Sequence, residues 1–381
     1  MKNSVHFLLI IGFPLFFAAC ATTKSVVPFE SQELQPVDLS RWNFARTSID
    51  RVVLDWHLES KAVDETCVIL FGEKHEWIFN CPIQLIKESF SVSSDAKAPV
   101  YFTPNSLSVP GAEVPYAKVA GSIVAQAQIL TPFQQQQRNL NIPPVILIQK
   151  LEDLVQHHPG FPKESTTTEE ILSIAIHEFF HVIQFTDSRV SPFLDAHLQD
   201  ASFIDQSDLA QFYASNISYQ KAVTAEYELL KTYLEKTEDQ NRRSAKRVLK
   251  KWLGLREKRI STFSKRFSQG KANRNLKLWD SFWTFVEGSA RFVESEFLIN
   301  PSLRASNQIL SDDPSFNNFK ATQAGTYKSL PMANRSLGAK YYYAIGSHLA
   351  LILDIAEPSK WKREAFSDPN WIVGMAEKAV R

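Results

Sequence analysis

The stretch IAIHEFFHVIQF, residues Ile174 to Phe185, sets His177, Glu178 and His181 among residues that otherwise belong in a core. On an α-helix His177 and His181 lie about 40° apart and one turn up, so both imidazoles can point at one spot. Two imidazoles from one turn begin a zinc site. Glu178, about 100° round from His177, is placed to take a proton from a metal-activated water. The alternative is a core helix with two satisfied histidines. That reading must find partners for three polar groups, because a buried charge without a partner is costly.

A zinc site needs a third protein ligand, and its position separates the possibilities. The metzincin spacing puts Gly at 184 and His or Asp at 187; Asp187 is present, but position 184 is Gln. The thermolysin-like spacing needs a Glu some twenty residues downstream, and no Glu stands between Glu178 and Glu226. The stronger candidate is FWTFVEGSARFVESEF, residues Phe282 to Phe297. On a helix Glu287, Arg291 and Glu294 share one face. Gly288 removes a side chain beside Glu287 and would let this helix approach the histidine helix closely. HEFFHVIQ followed by EGSARFVE resembles the zincin metallopeptidases of the gluzincin type, whose third ligand is the Glu of an E-G-x-A helix. The resemblance spans roughly residues 166–365, and its specific motifs fill about thirty of them. It implies that His177, His181 and Glu287 bind Zn2+ and that Glu178 is the general base. Glu226, in TAEYELL, is the competing third ligand. Glu294 either accepts the spare N–H of a zinc-bound histidine or pairs with Arg291. Gluzincins commonly stabilise the oxyanion with a downstream Tyr or His, which points to Tyr342 or Tyr343 in KYYYAIGSHLALILD, with His348 as a substitute. Gln184, a turn past His181, either touches substrate, bonds a neighbouring carboxylate or has a structural role.

The elements that must carry these residues are legible as a change of texture. From Trp42 to about Leu130, RVVLDWHL, TCVILF, EWIFNC, PVYFT and AGSIVAQAQIL are short β-branched or aromatic runs separated by turn residues. PVILIQ adds one buried strand. Beyond Glu164 the pattern turns helical: STTTEE supplies a capping box, Thr166 with Glu169 or Thr167 with Glu170. Helical patterns follow over 206–236, 239–268, 279–298 and 340–355. The basic stretch Arg242–Arg266 has an apolar side and reads as a solvated helix face rather than a nucleic-acid site. The expected fold is α+β, with a β-rich part over 41–144 and a mainly helical, zincin-like catalytic domain over 145–381.

The first residues, MKNSVHFLLIIGFPLFFAAC, join a lysine, a short apolar run and small residues, which is the pattern of an export signal over 1–19. FAAC resembles the lipobox of bacterial lipoproteins, which implies a lipid on Cys20, a tether over 20–40 and a membrane anchor without a spanning helix. Ala21, rather than Asp, after the cysteine implies sorting to the outer membrane of the cell envelope if the organism is Gram-negative. In an oxidising compartment Cys67 and Cys81 are an even pair, set opposite each other if the chain reverses around Lys74, and a bridge is expected. A formal net charge of +1 gives no global attraction to nucleic acid or to an anionic membrane. The reading is therefore a membrane-anchored zinc metallopeptidase acting on peptide or protein substrates. The G-x-M-E-N strand of related aminopeptidases is absent, PGAEVPY being a superficial echo. The alternatives are a non-catalytic envelope lipoprotein on a degenerate zincin scaffold and a zinc hydrolase of non-peptide amides.

Overall fold

The β-branched runs CVILF and VILIQ, apolar on both faces, lie side by side as parallel strands, the arrangement that buries a strand completely. A computed structural model describes residues 10–12, 36–59, 61–72, 75–81, 90–93, 100–104, 125–129, 143–157, 161–163, 165–198, 206–236, 240–268, 275–320, 337–358 and 360–381. Cys20, the FAAC motif, the tether up to residue 35 and PGAEVPY lie outside the described residues. The fold is mixed α+β and mainly helical.

The strands are β1 (Ile10–Gly12), β2 (Cys67–Phe71), β3 (His75–Phe79), β4 (Phe90–Ser93), β5 (Val100–Pro104), β6 (Ala125–Gln128) and β7 (Val145–Gln149). They form one sheet in the order β1-β6-β7-β2-β3-β5-β4, with β2 and β7 parallel and the other pairs antiparallel. The helices are α1 (Pro36–Asp55), α2 (Lys61–Asp64), α3 (Leu151–His157), α4 (Thr168–Thr186), α5 (Ser191–Leu198), α6 (Gln206–Ser215), α7 (Ile217–Glu235), α8 (Arg242–Phe267), α9 (Leu276–Ile299), α10 (Tyr341–Ala356), α11 (Lys360–Ala365) and α12 (Trp371–Ala379). The chain packs as two units. One comprises 1–49, 60–182 and 304–318; the other comprises 50–59, 183–303 and 319–381. Helices α1 and α4 contribute residues to both.

Two of the expected elements are corrected. RVVLDWHL is not a strand: its Arg51–Asp55 ends α1, which already begins at Pro36, inside the stretch expected as tether. Phe44, Ala45, Ile49, Val52, Val53 and Trp56 recur at helical spacing and are all buried, so packing overrides the β-branched run. Proline at the first helical position and Asp38 in the first turn suit a helix start. The pattern over 206–236 is two helices, broken before Asn216, whose side chain accepts from Tyr219 N and caps α7.

In the first unit the disulfide Cys67–Cys81 closes the β2–β3 hairpin, with the two Cα atoms 4.7 Å apart. Val68 pairs with Phe79, a register that sets Asn80 rather than Cys81 opposite Cys67. Asn80, at φ 54°, turns the chain back so that the sulfurs meet. Asparagine tolerates that left-handed geometry, and its amide bonds the Thr66 and Asp64 carbonyls. The buried Asp313 carboxylate takes the Arg41 guanidinium at 2.7 Å and the Thr168 hydroxyl at 2.7 Å, which fixes the start of α4 against α1.

The second unit is built around α9, buried on every side from Trp279 to Ser295. Gly288 meets α10 rather than the histidine helix: a Cβ on it would lie 2.3 Å from Gly346 Cα, and one on Gly346 would lie 2.2 Å from the Thr284 carbonyl oxygen. Two glycines facing each other let the backbones touch. Gly288→Ala should therefore destabilise the chain by about 3 kcal/mol or more, read as a lower urea midpoint, because helix backbone has no room to retreat.

A second consequence concerns pH. Burial first, then the nearby Asp354 and Asp55, lifts Glu296 to about 7, against a partial counter-effect from Lys362. A raised carboxyl pKa favours the folded state below the ordinary value of 4.5, and that contribution is lost as pH rises through 7. Glu296→Gln should flatten the decline of stability over that window. The difference from wild type should be about 1–2 kcal/mol after discounting for partial exposure, read from chemical denaturation at each pH.

Candidate metal centre

Helix α4 starts as the sequence indicates, through the second of the two capping boxes: Thr167 N donates to Glu170 Oε2 at 3.1 Å and Glu170 N to Thr167 Oγ1 at 3.4 Å. Its apolar side chains are buried nearly all round, among them Ile176, Phe179 and Phe180, with Trp42 of α1 stacked on Phe179. His177, Glu178 and His181 are buried with them. The Nε2 atoms of His177 and His181 lie 3.1 Å apart with their rings perpendicular. Two nitrogens at about 2.05 Å from one tetrahedral ion stand about 3.3 Å apart, so the pair fits a shared zinc. Glu178 Oε2 accepts from the Ala127 N–H of β6 at 2.7 Å, a bond that favours the ionised carboxylate. All of this lies within the first unit.

Within the second unit, Glu287 is fully buried on α9. The side-chain amide of Gln206, the first residue of α6, donates to Glu287 Oε1, and its carbonyl oxygen accepts from the Tyr342 hydroxyl at 3.1 Å. A single amide thus links the carboxylate to the phenol. Gln184, in the last turn of α4, donates to the Val286 carbonyl at 3.1 Å and the Ser289 hydroxyl at 3.0 Å, either side of Glu287 in sequence. Glu294 chelates Arg291 through both carboxylate oxygens. Tyr343 stacks near the Arg291 guanidinium and the Lys340 ammonium. His348 is buried against the Tyr227 ring, and that burial lowers its pKa to about 4.

The competing ligand, Glu226, is committed elsewhere. Both its oxygens take the Arg259 guanidinium, at 2.6 and 3.2 Å. Arg259 also holds Asp280, at 2.8 and 3.1 Å, and the Tyr219 hydroxyl at 2.7 Å, while the Tyr341 hydroxyl donates to Asp280. Burial alone would raise the Asp280 carboxyl, but Arg259 and Arg256 outweigh it and hold the group at about 2. A carboxylate already satisfied by a buried guanidinium is a poor candidate to leave it for an ion.

Two polar partners escaped the sequence reading. Gln206 carries no spacing signal, since a glutamine opening a short helix is ordinary. Ala127 contributes only its backbone N–H, which no side-chain pattern can announce. Comparison of the chain with protein-family models, with curated proteins and with solved structures finds no match.

Gln184→Ala should lower stability by about 2–3 kcal/mol, through the lost bonds to Val286 and Ser289 and the space left by a fully buried side chain. Gln184→Glu, which keeps the volume but presents acceptors to two acceptors, should cost as much or more. Urea unfolding of the two variants measures both.

Proposed function

We propose that this chain is a zinc-dependent peptidase of the gluzincin type, with His177, His181 and Glu287 as the ligands and Glu178 as the general base. What carries the reading is the buried histidine pair, its Nε2 atoms 3.1 Å apart, on a helix that sets Glu178 beside it. Glu287 completes a donor set of the chemistry that holds a divalent cation. The support for Glu287 over Glu226 is twofold. Glu226 is engaged by Arg259, and Gln184, in the same helix as His181 and one turn beyond it, bonds groups either side of Glu287.

The division of labour follows from the side chains. Zinc, when bound, supplies the Lewis acidity that makes water a nucleophile at neutral pH. Glu178 accepts the proton of the attacking water and passes it to the leaving amine; the Ala127 N–H pins one of its oxygens. The Tyr342 hydroxyl, linked to Glu287 through the Gln206 amide, is the donor for the oxyanion, with Tyr343 beside it as the alternative. Gln206 keeps Glu287 oriented.

The substrate class is an extended peptide. The edge of β6 away from β7 takes Ile10–Gly12 antiparallel along it, with Ile11 opposite Ala127, so the same edge suits an extended substrate backbone. Removal of the leader on export would open that edge. The peptidase would sit in the cell envelope on a lipid at Cys20, and no helix among the described residues is long and apolar enough to cross a membrane.

Purified chain should carry one zinc per molecule and cleave unfolded protein substrates, losing both with a strong chelator. Glu178→Gln should keep the metal and lower turnover by roughly a thousandfold or more. Glu287→Ala should lose zinc, whereas Glu226→Gln should keep it in whatever fraction folds. Metal analysis that finds no zinc in wild type would leave an anchored, non-catalytic scaffold; retained turnover in Glu178→Gln would remove that residue as base.

A further inference from the structure

The structure assigns a second interaction surface, remote in sequence from the histidine motif: we propose that the outer face of α8 docks on an anionic phospholipid surface. Helix α8 turns Leu249, Trp252, Ile260, Phe263 and Phe267 inward, and Arg256 and Arg259 are buried with them. Its outward face is a different surface. Arg243, Arg247, Lys250, Lys251, Lys258, Lys265 and Arg266 are all exposed there, and Glu257 is the single exposed acid between Arg242 and Arg266. None of those seven cations makes an ion pair with a described residue. Arg242 and Lys246, at one end, share the single Glu357 carboxylate, each at 2.7 Å.

Periodicity makes this a stripe rather than a scatter. Arg243, Arg247, Lys250, Lys258 and Lys265 fall within about 80° of one another around the helix, over a length of about 33 Å. The helix beneath is rigid, fixed by a capping box between Asn241 and Ser244 and by the fully buried Arg259. Near one end, Arg242, Arg243, Lys246, Arg247, Lys250 and Val380 line an open groove of about 490 Å³.

Surfaces ordinarily intersperse the two signs of charge, because a one-sign array repels itself. The chain as a whole carries only +1, so the unneutralised stripe is a local segregation and not a by-product of a basic composition. A straight row of cations that long fits a plane of phosphates. No aromatic residue is exposed on the stripe, so it lacks the stacking platforms of a single-strand nucleic-acid surface. It also lacks exposed apolar residues to insert between acyl chains, so the attraction is to headgroups and is screened by salt. The proposal is independent of the metal site.

The test is sedimentation of the full chain with vesicles of phosphatidylcholine, with and without phosphatidylglycerol, at low and high salt. The difference between the two compositions removes any contribution of the apolar leader. Wild type should bind the phosphatidylglycerol vesicles at low salt and lose that excess at high salt. The triple variant Arg247→Glu, Lys250→Glu, Lys258→Glu should bind them at least roughly a hundredfold more weakly, at about fivefold per cation lost. The variant Lys61→Glu, Lys163→Glu, Lys221→Glu, with the same change of charge at exposed positions elsewhere, should bind like wild type. Thermal melts of both variants should match wild type, since every altered side chain is exposed. Equal binding to neutral and anionic vesicles, or equal loss in both variants, overturns the proposal. So does tighter retention of the stripe by duplex DNA than by anionic vesicles at the same salt.

Discussion

A helix buried on every side has no water for its polar groups, and that constraint shapes both halves of this chain. Helix α9 is buried without interruption from Trp279 to Ser295, yet it carries Asp280, Glu287, Arg291 and Glu294. Helix α4 is nearly as enclosed and carries His177, Glu178, His181 and Gln184. Each of these groups demands a designated partner. The sequence cannot place such residues freely, and where it places them the surrounding elements have been fixed to answer them: β6 by a backbone N–H, α6 by the Gln206 amide, α8 by two guanidinium groups.

The answers are of two kinds, and the difference separates architecture from chemistry. Around Arg259 the cluster is closed. Arg256 and Arg259 face Glu226 and Asp280, so the charges balance, and the Tyr219, Tyr341 and Ser281 hydroxyls fill the remaining bonding positions. Such a set holds α7, α8, α9 and α10 in one geometry, and breaking it by removing one partner is severe. The cluster on α4 is of another type. It consists of two imidazoles and a carboxylate, groups that bind metals and move protons at neutral pH. Stability alone does not favour that choice over three apolar residues.

What the sequence made legible follows the same division. Local chemistry was readable: the cap of α4, the histidine spacing, the β2–β3 hairpin with its bridge and the buried strand β7 all depend on residues close together in the chain. Pairings across long separations were not. The partner of Glu226, Arg259, stands thirty-three residues away, and the backbone that Gly288 meets is that of Gly346, fifty-eight residues on. Helix α1 departs from the expected strand for a simpler reason. RVVLDWHL offers a β-branched run, but the buried set from Phe44 to Trp56 has the longer period, and burial against the rest of the fold decides between them.

Helix α8 shows how one element can serve both ends at once. Its inner arginines are fully enclosed, and each is matched by carboxylates, so their charge is spent inside the protein and none of it is felt outside. Beyond Arg242 and Lys246, the outer cations have no such match among the described residues, and their field extends into solvent over a Debye length. Because the inner set locks the helix in place, the outer row keeps its spacing and direction; a stripe on a loosely held helix would smear into a diffuse positive cloud with little preference for a flat array of anions. The buried network is therefore a precondition of the surface, and the two faces of this helix are one physical design read from opposite sides.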